Sequence, residues 1–91
     1  MIFEWDEDKN RLNIEKHKIS FETASHVFDD PSYVEMYDFE HSIDEDRYIA
    51  IGLVGSVLFV VFTERRNRIR LISARRATEK ERSLYYDQNI R

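Results

Sequence analysis

The sequence predicts an α+β domain: an antiparallel sheet of three to five strands packed against two N-terminal helices and a C-terminal helix. Three observations carry that reading. Helix-start signals sit towards the two ends of the chain, with Asp6 and Ser20 as N-cap candidates early and the capping box Thr78-Glu79-Lys80-Glu81 late. Between them lie strand-length runs rich in β-branched and aromatic residues, at Tyr33 to Phe39, Tyr48 to Val54, Val57 to Phe62 and Ile69 to Ala74. No repeat, low-complexity tract or Gly/Pro-rich linker interrupts the 91 residues, so 1–91 reads as one domain with a single core.

Taken in order, Ile2-Phe3-Glu4-Trp5 alternates weakly, as a short strand does. Asp6 then caps a helix to His17, with Glu7 and Asp8 in the first turn and Lys16-His17-Lys18 at the end, both complementing the helix dipole. Leu12 and Ile14 give it only a thin apolar stripe and Asn10 and Asn13 lower its propensity, so it is expected to lie on the surface. Ser20 opens a second helix whose Phe21, Ala24, Val27 and Phe28 share a face, and Asp29-Asp30-Pro31 stops it. Tyr33 to Phe39 suits a strand near an edge, and Glu40 to Asp46 is a polar loop. Tyr48 to Val54 is the next strand, with Gly52 as a candidate bulge, and Val54-Gly55-Ser56 turns tightly into the apolar Val57 run. Glu64 to Arg68 forms the turn to the last strand, and a helix from Glu79 to Asn89 packs Leu84 and Tyr85 on the sheet.

Composition excludes several classes. Without cysteine there is no disulfide framework, thiolate metal site or cysteine nucleophile, and no apolar run reaches the roughly 20 residues of a membrane span. The acidic start Met-Ile-Phe-Glu-Trp-Asp-Glu-Asp is unlike a signal peptide, so a cytoplasmic protein without membrane association is expected. Gly52 and Gly55 are the only glycines, which removes a phosphate-binding loop, and His17, His26 and His41 stand too far apart for a metal motif or a hydrolase triad. No metal or cofactor is therefore expected. The formal net charge of −4 conceals an asymmetry: residues 1–46 carry fourteen acids and four bases, residues 47–91 ten bases and four acids. A dipolar chain of this kind offers a basic surface to a polyanion.

That basic half centres on Phe62 to Arg76, with six arginines in fifteen residues. Arginine is always charged and its planar fork matches a phosphate, so the stretch suits a phosphodiester. Arg65, Arg66, Arg68 and Arg70 gather at the turn, while Arg75, Arg76 and Arg82 gather near the last helix. For regular strands, Ile69, Leu71, Ser73 and Arg75 share one face and Arg70, Ile72 and Ala74 the other; bringing Arg65 and Arg75 into one site requires twist or a bulge. RNA can be cut by its own 2′-hydroxyl if a base takes that proton and cations take the charge. Arginine is a poor base, which leaves His17, Lys16, Glu64 and Tyr48 as proton-carrying candidates. Each has a structural reading as well: His17 as a helix-end cation, Glu64 as a surface ion pair, and the arginines as a solvated hairpin tip.

Phe3-Glu-Trp-Asp6, Lys9-Asn10, Asn13, Lys16-His17, Ser20-Phe21, Phe28-Asp29-Asp30-Pro31, Arg47-Tyr48-Ile-Ala-Ile-Gly52, Phe62-Thr-Glu-Arg65 and Ile69-Arg-Leu-Ile-Ser-Ala-Arg75 resemble, in that order, the BrnT family of bacterial toxins. The resemblance implies a RelE-like fold and a type II toxin–antitoxin ribonuclease that halts translation. It also implies a BrnA-type antitoxin partner with a ribbon-helix-helix DNA-binding region, so that operator DNA is met only through that partner. Carried over to this chain, the family motifs point to Lys16, His17, Glu64, Arg65, Arg70 and Arg75. Of these, Lys16, His17, Glu64, Arg65 and Arg75 are expected to be catalytic, and the two arginine clusters add Arg66, Arg68, Arg76 and Arg82 to Arg70 as RNA contacts. Where the family tends to a basic residue after the glycine, this chain has Ser56, one cation fewer. A noncatalytic module that binds nucleic acid or protein through the basic hairpin is the alternative, and a toxin that has lost activity but kept its partner is a third.

Overall fold

Asp6 opens helix α1 (Glu7–His17) in the computed structural model of the chain, which describes residues 1–89. Its carboxylate accepts the N–H groups of Asp8 at 2.9 Å and Lys9 at 3.1 Å, and Lys18, left-handed at φ 61°, donates back to the Ile14 carbonyl at 2.8 Å. Ser20 caps α2 (Phe21–Ser25), which runs into a 3₁₀ turn at His26–Asp29 before Pro31. The capping box closes reciprocally on α3 (Glu79–Asn89): Thr78 Oγ1 accepts the Glu81 N–H, and the Glu81 carboxylate accepts the Thr78 N–H. Five strands lie between and before these helices: β1 (Ile2–Glu4), β2 (Val34–Tyr37), β3 (Tyr48–Val54), β4 (Ser56–Arg65) and β5 (Arg68–Arg76). No helix among the described residues is long and apolar enough to cross a membrane.

The strands stand in the order β1-β5-β4-β3-β2. The β2 to β5 meander is antiparallel as expected, but β1 joins β5 in parallel, with Phe3 opposite Ile69 and Glu4 opposite Arg70, so the sheet is mixed. Three residues of weak alternation do not encode a partner more than sixty residues away. The bulge expected at Gly52 also moves. Pairing runs unbroken through Gly52, which is no bulge. A Cβ there would meet Val27 Cγ1 at 3.0 Å, the Val27 carbonyl at 3.1 Å and Tyr33 Cβ at 3.2 Å, so glycine lets the 3₁₀ turn lie directly on β3. The bulge lies in β5: Val61 pairs with Ser73 but Phe62 pairs with Leu71, which leaves Ile72 unmatched.

That extra residue resets which side chains share a face. Ile69 and Leu71 before it, and Ala74 after it, all lie on the side of Leu58, Val60 and Phe62. With Ala50 these pack against Ile19, Phe21, Ala24 and Val27 to form the main core under α1 and α2. Phe62, fully buried, is contacted by Phe28 at 5.1 Å and Tyr48 at 5.6 Å between ring centroids. The two asparagines that weaken α1 as a helix are what dock it. Asn13 Nδ2 donates to the carbonyls of Ile19 and Ala74 while its Oδ1 accepts the Ala74 N–H, and Asn10 Oδ1 accepts the Phe21 N–H. A thin apolar stripe suffices because the contact is made by hydrogen bonds.

One end of the opposite face is covered by the last helix. There Tyr85 of α3 packs with Ile51 and Val57. Its hydroxyl donates to Asp30 at 2.6 Å, and burial together with that carboxylate pushes the phenol up to about 12. Burial works against the ionised Asp30, yet the Tyr85 hydroxyl and the N–H groups of Leu53 and Ser32 hold it below the usual range.

Candidate nucleic-acid interface

Beyond the reach of α3 the second face is open, and arginines line it. The β4–β5 turn is two residues long, with Arg66 at φ 49° and Asn67 at φ 70°, the twin left-handed geometry of a type I′ hairpin. This turn fixes Arg65 opposite Arg68, and Arg70 then stands beside Thr63. After the bulge Ser73 stands beside Val61 and Arg75 beside Phe59. Arg65, Arg68, Arg70 and Arg75 therefore share one face. The regular-strand sorting, which put Arg70 with Ile72 and Ala74 and apart from Arg75, is corrected by the bulge. Thr63 and Phe59 are four residues apart, so roughly 13 Å of strand separates the stations of Arg70 and Arg75.

Each of these guanidiniums is held by a carboxylate. Glu4 accepts from Arg70 at 2.8 Å and faces Arg68 at 3.6 Å, and the Arg70 hydrogen bond holds Glu4 below the usual carboxylate range. Arg65 donates to Glu45 at 2.9 Å with the same effect on Glu45. Arg75 grips Glu81 through both terminal nitrogens, at 2.7 and 2.9 Å, and lies 4.0 Å from the centre of the Phe59 ring. That bidentate bond raises Arg75 and lowers Glu81. The glutamate that caps α3 is therefore the one that fixes Arg75, tying the last helix to the basic face.

The segment from Asp38 to Arg47 folds back onto the same face. Thr63 Oγ1 donates to the Asp46 carbonyl at 2.6 Å, and the Tyr37 hydroxyl donates to the Asp46 side chain at 2.8 Å. Inside the segment, Ser42 Oγ donates to the Asp38 carbonyl and accepts the Arg47 N–H. These bonds set Asp38, His41 and Arg47 around a cavity of about 210 Å³ whose floor is Val61, Ile72 and Ser73. In the sequence His41 has no histidine partner at metal-site spacing. Its i, i+3 relation to Asp38 was visible, but the fold-back that carries both onto the sheet was not.

The remaining sequence candidates lie elsewhere. Lys16 and His17 end α1, which docks on the covered side of the sheet through Asn13 and Ala74. Glu64 pairs with Ile69 and so belongs to the covered face. Tyr48 stacks on Phe62 in the core, and removal from water, followed by Asp46 and Glu64, raises its phenol. Lys16, His17 and Glu64 thus do not converge with Arg65 and Arg75. Arg66 is exposed at the hairpin tip, in a cleft with Glu4, Arg65 and Arg68. Arg76 and Arg82 line a separate cleft with Ser56 and Tyr86 at the α3 end. Among the described residues no three His, Cys, Asp or Glu side chains form a metal-holding group.

A mixed sheet with two helices packed on one face and four guanidiniums along the other defines a small α+β protein with a basic sheet face. The chain belongs to the family of the ribonuclease toxin BrnT of type II toxin–antitoxin systems, whose model matches residues 5–81. It is also similar to the crystal structure of the Brucella abortus ribonuclease toxin BrnT, at 25% sequence identity and a TM-score of 0.66, over 87% of this chain and 100% of that one. Among curated protein sequences no significant match is found.

Proposed function

We propose that the open sheet face cuts RNA without a metal ion, by letting a ribose 2′-hydroxyl attack the adjacent phosphate. The observation that carries this is the placement of Arg65, Arg68, Arg70 and Arg75 on one face of the sheet beside a polar cavity. Family membership supplies the substrate class. Arg70 and Arg75 flank the Ser73 station and are the cations for the charge that develops on phosphorus. Glu4, Glu45 and Glu81 hold the guanidiniums in place before substrate arrives, which reduces reorganisation during the reaction. Cleavage halts translation in the cytoplasm, and a BrnA-type antitoxin with a ribbon-helix-helix region neutralises the toxin and alone contacts operator DNA.

Expressing the chain with and without its neighbouring gene product tests this, with growth, RNA integrity and co-purification measured together. Expression alone is expected to arrest growth and fragment RNA, and co-expression to restore both. Arg65→Ala and Arg75→Ala then test the face separately; full toxicity in both variants would remove it from the mechanism. One observation favours binding without cutting: Glu81 already occupies both terminal nitrogens of Arg75. A salt-sensitive RNA complex that never yields product would support that reading instead.

A further inference from the structure

The arginines leave the proton unaccounted for. A 2′-hydroxyl is a nucleophile only if a base within hydrogen-bond reach takes its proton, and a guanidinium does not. The open face holds one histidine placed for this.

His41 Nδ1 lies 3.1 and 3.0 Å from the two oxygens of Asp38. A carboxylate only accepts, so Nδ1 carries the hydrogen, and in the neutral ring Nε2 is left with the lone pair. Asp38 is 12% exposed while His41 is 64% exposed, so the orienting group is tucked in and the imidazole is presented outward. Both line the cavity over Val61, Ile72 and Ser73, with Arg47 at its side. Along β5 this floor lies between Arg70 and Arg75, two residue pairs from Arg70 beside Thr63 and two from Arg75 beside Phe59. A phosphate on Ser73 would thus have a cation on either side and the imidazole of His41 beside it.

His26 is an internal contrast. It makes the same i, i+3 contact, to Asp29 at 2.8 Å, but its aspartate is 77% exposed and the pair sits on the 3₁₀ turn, away from the arginine-lined face. The spacing of a His–Asp pair is therefore not what sets His41 apart. Its cavity, its largely enclosed aspartate and its flanking cations do.

We propose that His41 is the general base of this site and Asp38 its positioning residue, an assignment that rests on the ribonuclease reading above. His41 Nε2 takes the 2′-hydroxyl proton as the O2′–P bond forms. The P–O5′ bond breaks, and the departing 5′ oxygen takes a proton from water. The products are a 2′,3′-cyclic phosphate and a 5′-hydroxyl, and the imidazolium returns its proton to solvent.

The test uses the purified full chain on a labelled random-sequence RNA pool, with His41→Ala, His41→Gln and His26→Ala compared with wild type. Wild type and His26→Ala are expected to cut and to leave cyclic phosphate ends. Both His41 variants should lose roughly 10²- to 10⁴-fold in rate with RNA binding retained, and added imidazole should restore part of the loss in His41→Ala. Glutamine keeps a donor for Asp38 while removing the base, so a folded but inactive His41→Gln separates proton transfer from loop structure. A wild type that cuts while both His41 variants cut equally well overturns the role of His41 and leaves the ribonuclease reading standing. A wild type that binds the pool and never cuts it overturns both. Loss in the His41 variants that tracks weakened RNA binding, with no imidazole rescue, makes His41 a binding residue and overturns the proposal as well.

Discussion

The two faces of this sheet are built from the same strands yet follow opposite rules. On the covered face Leu58, Val60, Phe62, Leu71 and Ala74 meet the helices with almost no accessible surface, and the polar groups there are satisfied by Asn13. On the open face Thr63, Ser73 and four arginines stand at the alternate positions of the same strands, held by carboxylates from β1, the β2–β3 segment and α3. Apolar burial is concentrated on one side and charge on the other. The division teaches that substitutions on the two faces should separate folding from activity.

The sharpest test is Phe62→Ala. Truncating this fully buried ring in the aromatic cluster should cost about 3–5 kcal/mol of unfolding free energy, measured by urea denaturation, and a cost below about 1 kcal/mol would break the distinction. Arg70→Ala should do the reverse. RNA cleavage is expected to fall about 10²- to 10³-fold, while stability shifts by less than about 1 kcal/mol because its ion pair with Glu4 is partly exposed. A variant that unfolds, or one that cuts normally, would blur the two faces.

The α3 end, where the second face is covered, should behave as core. Tyr85 is raised from its ordinary 10.0 to about 12, so the unfolded chain gives up this proton first. Its contribution is fully present below pH 10 and is lost as pH rises towards 12, by about 2–3 kcal/mol, and Tyr85→Phe should flatten that alkaline limb. Acid acts through the opposite sign. Glu4, Glu45 and Glu81 are all lowered, so their pairs contribute above the unfolded carboxylate range and weaken as pH falls through the folded values.

Smaller effects refine the picture at the margins. Gly52→Ala should cost about 1–3 kcal/mol by pressing on Val27 and Tyr33, with activity unchanged in the fraction that remains folded. At the hairpin tip, Arg66→Asn with Asn67→Gly places residues that tolerate left-handed geometry where the turn demands it, and should add roughly 1 kcal/mol to stability. If RNA affinity falls at the same time, Arg66 belongs to the open face and carries backbone strain in exchange for its charge.

Much of the architecture was legible because it is locally encoded. Asp6, Ser20 and the Thr78/Glu81 box mark helix starts through bonds to backbone two or three residues away, and each forms as expected. Alternation located β3 at Tyr48–Val54 without adjustment. The candidate site was legible in residue type but not in grouping. Fifteen residues with six arginines announced a phosphate-directed surface, yet the face each arginine occupies depends on one unmatched residue, Ile72. The strand period is two, so a single insertion moves every later side chain to the other side. For the same reason Arg75 joined Arg70.

By itself the sequence determined the α+β class, the order of the elements and the family. The class and the order rest on periodicity and capping, which act over a few residues, and the family rests on a series of short motifs in order. Only the tertiary structure decided that β1 would pair in parallel with β5, that Asn10 and Asn13 would dock a weakly apolar helix, and that the loop with Asp38, His41 and Arg47 would fold over Ser73. Each of those depends on hydrogen bonds between residues distant in the chain, and a side chain's distant partners are not written in its neighbours.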